Sequence, residues 1–100
     1  MQSQLIGKFV IVRTYSAGVH AGILDEKNGK DVRLKNSYRI WSWTQPKANT
    51  GSLSAVAEYG VGLRSKIANA VATVELTEAI EVLEASEYSR RSIESGQWNG

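Results

Sequence analysis

The stretch RTYSAGVHAG, residues 13–22, concentrates side chains that could bind a charged, ring-bearing ligand. Arg13 offers a guanidinium that can pair with a phosphate, and Tyr15 offers a ring on which a base can stack. Ser16, Ala17 and Gly18 form a turn of small residues whose backbone N–H groups an anion can approach closely. The stretch therefore predicts a binding site for a nucleotide-type small molecule, although hairpins that bind nothing carry similar turns.

Catalysis by the same stretch is disfavoured. Ser16 and His20 could supply a nucleophile and a base, but the stretch contains no acid, and the order of its residues does not fit the G-x-S-x-G nucleophile turn. We expect Ser16 to serve the turn itself. His20 is expected on a returning strand, where it is a structural or exposed residue, a ligand contact or an acid–base group. The protein is therefore expected to bind a ligand and not to act as an enzyme.

A second candidate is RIWSW, residues 39–43, in which alternation places Arg39, Trp41 and Trp43 on one face of a strand. Two indoles beside a guanidinium could form a stacking platform for bases, with Arg39 holding a phosphate. The same indoles could equally be core or a subunit interface, since tryptophan buries a large area in either place. Further along, Arg64 and Lys66 lie in a glycine-preceded loop that could close over a phosphate or carry solvated charges.

Composition limits the classes of function. The chain has 100 residues, no cysteine and one histidine. These counts predict a single domain over residues 1–100, exclude disulfides and thiolate metal sites, and make a zinc site improbable. Four glutamates recur at every third position over residues 75–84, which is more typical of a solvated face than of a metal site. No apolar run approaches the ~20 residues that span a bilayer, so we expect a cytoplasmic, cofactor-free protein with no membrane partner.

The charges are unevenly distributed along the chain. Residues 1–70 hold ten Lys or Arg against four acids, whereas residues 71–100 hold six Glu against two Arg. This asymmetry indicates an anionic ligand on the first part, charge-complementary assembly into a homo-oligomer, or simply two solvated faces of opposite sign.

Hydrophobic alternation and turn residues predict an antiparallel meander in the first half of the chain. Gly18 and the pair Asn28-Gly29 are expected to take left-handed turn conformations. The four predicted strands are residues 8–13, 19–24, 31–35 and 38–43, with a turn at 36–37 between the last two.

The second half carries helix signals and one ambiguous segment. A short helix over residues 53–59 is expected to begin at Ser52 and to end at Gly60, and Ser86 is expected to cap a final helix over residues 87–95. Residues 60–70 show no clear period and are interpreted as a mobile connection. For residues 71–85, the spacing of the apolar residues suits a helix and their β-branched type suits a strand, so both stay open.

The order RTYSAG, then R-x-W-x-W, then LTEAIE resembles a family of small phage and prophage proteins that is catalogued as a domain of unknown function. The resemblance extends over about residues 8–95. It implies an α+β fold, a small antiparallel sheet of about five or six strands with one or two short helices. It also implies that the LTEAIE segment is a strand. The family often closes that strand with a proline, whereas Glu84 and Ala85 stand there in this chain.

Small phage proteins of this size often counter host defence, which suggests a function by class. The anti-Thoeris and anti-CBASS sponges are similar in scale and bind cyclic nucleotide or cyclic ADP-ribose signals without cleaving them. We therefore expect a phage-type oligomer that sequesters such a signal. Two alternatives stay open: a single-stranded nucleic-acid-binding module on the same basic, aromatic face, and a protein-binding inhibitor or structural phage protein that uses the tryptophans.

Overall fold

The computed structural model describes residues 3–43, 53–62 and 65–95. Within them the chain forms six antiparallel strands and two helices, as the α+β expectation required. The elements are β1 Phe9–Thr14, β2 Val19–Asn28, β3 Asp31–Ser42, α1 Leu53–Tyr59, β4 Lys66–Ile67, β5 Val71–Leu76, β6 Ala79–Glu84 and α2 Glu87–Ser95. None of the helices described is long and apolar enough to cross a membrane.

Strand β3 pairs with two different neighbours along one of its edges. The main order is β4-β3-β2-β1-β6, and β5 adds to the first half of β3 while β4 adds to its end. β5 and β6 follow each other after two residues, yet β5 pairs with β3 and β6 pairs with β1. The order β6-β1-β2-β3-β5 with this short connection therefore brings the two outer strands β5 and β6 close together at one end, so the sheet curls.

Two apolar clusters lie on the two sides of the curled sheet. Strand alternation places Phe9 and Ile11 on one side and Val10 and Val12 on the other, so the central strand β1 is buried on both. We call the first cluster the helix-side core and the second the inner core. The helix-side core contains Phe9, Ile11, Ala21, Tyr38, Ile40, Val56, Ala57, Val61, Ile67 and Ile93. The inner core contains Val10, Val12, Leu24, Val32, Leu34, Leu76 and Ala79.

The turn predicted at residues 36–37 is wrong, because β3 runs unbroken from Asp31 to Ser42. Asn36 instead forms a bulge with φ 50°, and the pairing with β2 shifts at this point. Gly22 lies opposite, and a Cβ there would lie 2.9 Å from the Lys35 carbonyl oxygen and 3.1 Å from Ser37 Cα. The bulge bends β3 without ending it, so three strands form the first part of the sheet instead of four.

Several local predictions are confirmed. Gly18 and Gly29 take positive φ at the two hairpin turns, and Gly60, with φ 80°, follows α1 and donates its N–H to the Val56 carbonyl oxygen. The left-handed conformation expected for Asn28 is wrong, because Asn28 is the last residue of β2 and pairs with Asp31. The Ser86 hydroxyl accepts a hydrogen bond from the Ser89 N–H at 3.1 Å and so caps α2. The proposed cap Ser52 lies outside the described residues.

The ambiguous segment forms two strands, β5 and β6. The family resemblance implied that LTEAIE, residues 76–81, is a strand, and this holds only for its second half, because Leu76 ends β5, Thr77 and Glu78 connect the two strands, and β6 begins at Ala79. The connection expected over residues 60–70 contains the short strand β4, whose Ile67 is buried in the helix-side core. Residues 60–70 show no hydrophobic period of their own. Burial of the Ile67 side chain against the end of β3 holds this segment in place.

Candidate functional site

The turn between β1 and β2 is held by its own hydrogen bonds. The Thr14 hydroxyl donates to the Gly18 carbonyl oxygen at 2.7 Å and accepts from the Ala17 N–H at 2.9 Å. The Thr14 N–H also donates to Gly18, at 3.1 Å. Because threonine satisfies both sides of this tight bend, Gly18 is set in its left-handed conformation, φ 85°, at the start of β2.

Arg39 of β3 reaches across to this bend. A Cβ on Gly18 would lie 3.2 Å from a terminal nitrogen of the Arg39 guanidinium, which is the close approach that a residue without a side chain permits. The guanidinium carbon of Arg39 lies 3.9 Å from the ring centroid of Trp41, two residues along the same strand. Trp41 itself is 54% exposed, so one indole contacts the arginine and also faces solvent.

His20 completes this group, since it pairs with Arg39 across β2 and β3. Its side chain is buried, and Nε2 lies 2.9 Å from the Ala17 carbonyl oxygen. A carbonyl only accepts hydrogen bonds, so this contact assigns the proton of the neutral ring to Nε2. Burial lowers the pKa of His20 from its ordinary 6.5; the bond to Ala17 opposes this and the positive charge of Arg39 adds to it. The net shift therefore favours the neutral imidazole.

Arg39 differs from Arg33, Arg90 and Arg91, which all contact carboxylates, in its electrostatic surroundings. Arg33 contacts Asp25, Glu26 and Glu75, which together raise its pKa. Within the described part of the chain, no carboxylate lies within 4.0 Å of the Arg39 guanidinium. A half-buried cation that lacks a counter-charge and rests on an exposed indole can accept an anion without first breaking an ion pair.

The sheet separates two of the residues predicted for the same pocket. Arg13 pairs with Val19, which packs on the helix-side core, whereas Arg39 pairs with His20 on the opposite side of the sheet. The two arginines therefore do not converge within one chain. Trp43 packs against the helix-side core, so the predicted shared face of Arg39, Trp41 and Trp43 holds for Trp41 and is wrong for Trp43.

Among the predicted turn residues, Gly18 contacts Arg39, whereas Ser16 and Ala17 serve the turn itself. Gly18 contacts Arg39, but the Ala17 N–H is used by Thr14, and the Ser16 hydroxyl donates to a Glu78 carboxylate oxygen at 3.2 Å. These groups stabilise the turn and are not directed at the guanidinium. Tyr15 is 79% exposed at the tip, and its backbone N–H donates to the Glu78 carbonyl oxygen at 3.0 Å.

Of the two basic residues expected on a closing loop, Lys66 is exposed on β4 and pairs with Ser42 at the end of β3. Its neighbour Ile67 belongs to the helix-side core, so alternation directs Lys66 to the side of the sheet that carries Arg39. Arg64 lies outside the described residues.

Sequence reasoning missed Thr14 and Glu78, the residues that shape the turn. A general signal for Thr14 is present, since threonine hydroxyls bond to nearby backbone groups in turns. Glu78 is 62 positions away from Ser16 in sequence and no local pattern joins them. In the described ranges, no cluster of three or more His, Cys, Asp or Glu side chains could hold a metal ion.

Comparisons with known proteins give a family without a described activity. Neither the comparison with curated proteins nor that with solved structures found a match to this chain. One family model, described as a domain of unknown function (DUF6948), matches residues 7–93, from the start of β1 almost to the end of α2. Because this match spans nearly the whole chain, the protein belongs to that family of domains of unknown function.

Proposed function

We propose that the protein binds a nucleotide-type ligand on the surface formed by Gly18, His20, Arg39 and Trp41. The observation that carries the proposal is the Arg39 guanidinium, which contacts the Trp41 ring and the Gly18 bend with no carboxylate of the described residues near it. A phosphate would supply the missing counter-charge, and a base would stack on the exposed indole.

The set of contacts is smaller than the sequence predicted. Arg13 and Trp43 are left out of this surface because they lie on the other side of the sheet. Ser16 and Ala17 contribute indirectly, since their hydrogen bonds hold the turn against which Arg39 rests. Lys66 is placed to add a second positive charge from the sheet edge, and Tyr15 is free to approach a bound base from the turn.

The proposed activity is sequestration and not turnover. The one histidine of this surface is buried, neutral and bonded to the Ala17 carbonyl oxygen, which suits a positioning role better than proton transfer. Binding alone suffices for a protein that removes a signal from solution. The resemblance of RTYSAG, R-x-W-x-W and LTEAIE to phage and prophage proteins favours a cyclic nucleotide of host defence as that signal, sequestered in the host cytoplasm.

The test is binding of cyclic di- and trinucleotides and cyclic ADP-ribose isomers, measured by isothermal titration calorimetry at low salt. Arg39→Ala is the decisive variant, and Arg13→Ala is its matched control. Both arginines lack a carboxylate partner in the described part of the chain, and they lie on opposite sides of one sheet. We expect the loss of a charge-assisted contact in Arg39→Ala to weaken binding by about tenfold or more, with Arg13→Ala unchanged.

Three results would contradict the proposal. The first is that none of these compounds binds. The second is equal weakening by both arginine variants, which would indicate general charge attraction. The third is tighter binding of a long oligothymidine than of any cyclic nucleotide, with steep salt dependence, which would favour the single-stranded nucleic-acid module.

A further inference from the structure

The outer edge of β6 is unpaired in the described part of the chain. β6 pairs with β1 alone, and the Ala85 N–H donates to the Phe9 carbonyl oxygen at 3.0 Å. Antiparallel pairing alternates along a strand, so the backbone groups of Ala85, Leu83 and Glu81 point to β1. The N–H and carbonyl groups of Val82 and Glu84 therefore point away from the sheet, where a further strand could bind them.

A groove of about 630 Å³ runs beside this edge, between β6 and α1. Ser86 joins its two walls at one end, because its N–H donates to the Ala57 carbonyl oxygen at 2.8 Å and its hydroxyl donates to the Glu58 carbonyl oxygen at 2.7 Å. The groove is lined by Ser54, Ala57, Glu58, Glu81, Val82, Leu83, Glu84, Ala85 and Ser86. The lining thus combines small and apolar residues with three glutamates.

The charge of the groove indicates what kind of chain would fit. Its lining carries three carboxylates, those of Glu58, Glu81 and Glu84, and no lysine or arginine. Lys8 contacts Glu84 at 3.4 Å, but both side chains are more than half exposed, so this pair contributes little and can exchange for another cation. Charged residues on an edge strand also protect sheets against aggregation. That role does not require a groove beside the edge, so the groove favours binding of a partner segment.

We propose that the β6 edge binds an extended, basic segment of a partner protein by strand addition. Main-chain hydrogen bonds to Val82 and Glu84 supply the affinity, and side-chain charge supplies the selectivity. In an antiparallel addition, basic residues of the partner lie opposite Glu81 and Glu84, three positions apart. The two residues between them lie opposite Leu83 and Val82 and are apolar and β-branched. This surface is separate from the proposed nucleotide surface, which lies on the inner side of β3.

The probe is the peptide acetyl-Thr-Lys-Val-Val-Lys-Thr-amide, with acetyl-Thr-Glu-Val-Val-Glu-Thr-amide as its charge-reversed control. Binding of fluorescein-labelled peptide to the full chain is followed by fluorescence anisotropy at several salt concentrations. We expect the lysine peptide to bind at least about tenfold more tightly than the glutamate peptide, with affinity that falls as salt rises.

Two variants separate the backbone contact from the charge. Val82→Pro removes one outward N–H and leaves the bonds to β1 intact, which is the position where edge strands tolerate proline. We expect it to weaken the lysine peptide by roughly tenfold, the loss of one good hydrogen bond, while Val82→Thr keeps the N–H and binds as the parent does. Glu58→Gln combined with Glu81→Gln should reduce both the affinity and its salt dependence. Urea unfolding checks that each variant folds.

The proposal is overturned if the lysine peptide does not bind at millimolar concentration, if both peptides bind equally, or if Val82→Pro leaves binding intact in a folded protein. A dimer that Val82→Pro dissociates in sedimentation experiments would show that a second copy of the chain is the occupant instead. Cyclic nucleotide binding should be unaffected by Val82→Pro, so a failure here and a failure of the nucleotide site remain distinguishable.

Discussion

Replacing Gly18 by alanine tests whether the β1–β2 bend positions Arg39. The substitution has two costs. An alanine at φ 85° pays for a left-handed backbone, about 1–2 kcal/mol of the free energy of unfolding. Its Cβ would also lie 3.2 Å from the Arg39 guanidinium, closer than ordinary contact, so the guanidinium must move by a few tenths of an ångström. That movement puts at risk the contact with Trp41, worth about 0.5–1 kcal/mol.

Gly29→Ala separates these costs. Gly29 also has positive φ, 62°, but a Cβ there meets nothing within 4 Å. We therefore expect both variants to lose stability through the backbone and Gly18→Ala to lose roughly 0.5–1 kcal/mol more, which corresponds to an extra fall in Tm of about 2–8 °C. Urea unfolding of Gly18→Ala, Arg39→Ala and the double variant measures the coupling between bend and guanidinium directly.

A coupling energy near zero would refute the reasoning, since it would mean that Arg39 does not rest on the bend. The same would follow if Gly18→Ala and Gly29→Ala bound cyclic nucleotides equally well. If the bend does position the guanidinium, the ligand affinity of Gly18→Ala falls while that of Gly29→Ala stays at the parent value.

Two further predictions use the same sheet. Gly22→Ala places a Cβ 2.9 Å from the Lys35 carbonyl oxygen, so we expect overpacking to cost about 1–3 kcal/mol in urea unfolding, and an unchanged free energy of unfolding would contradict this. For His20, a pKa below 6.5 in the folded protein means that the unfolded chain binds more protons just below that pH. Stability should therefore fall as the pH drops from 6.5, and His20→Gln should flatten this dependence. Because the chain has one histidine, NMR titration reads its pKa directly; Arg39→Ala should raise it by removing a nearby positive charge, and an unchanged pKa would contradict that assignment.

Local elements could be predicted from the sequence because their signals are local. The bounds of α1 and α2 follow from Gly60 and Ser86, residues that act within one turn of the helix they end or begin. The β2–β3 hairpin follows from turn chemistry in the same way, but its two turn residues are Gly29 and Lys30, one position later than the predicted pair, because Asn28 still pairs with Asp31. Strand β4 could not be predicted, since two residues carry no period and Ile67 is fixed only by burial against the distant strand β3.

The bulge at Asn36 shows why a turn signal can mislead. Asn-Ser is a common turn pair, but here the left-handed Asn36 is accommodated inside a continuous strand because Gly22 on the neighbouring strand leaves room for the displaced backbone. The partner glycine lies 14 positions earlier in sequence, and only the pairing register brings the two together. The pair Asn36-Ser37 therefore leaves β3 unbroken because of a residue that is distant in sequence.

The site was predicted in part for a related reason. Residue types pointed to Gly18, Arg39 and Trp41, which the structure brings together, but the side of the sheet on which a residue lies depends on register, which separates Arg13 from Arg39. The uneven distribution of charge along the chain is likewise explained by contacts between residues that are distant in sequence.

Ion pairs between the two parts, Lys8 with Glu84 and Arg33 with Glu75, bring the basic and acidic segments together within one molecule. The fold itself therefore pairs some of the basic residues of the first part with acidic residues of the last part, and this pairing needs no second copy of the chain. One positive charge keeps no acidic partner in the described part of the chain. The half-buried Arg39 contacts an indole and a glycine bend there but no carboxylate. This unpaired charge of Arg39, and not the net charge of residues 1–70, is the reason to expect an anion beside Arg39.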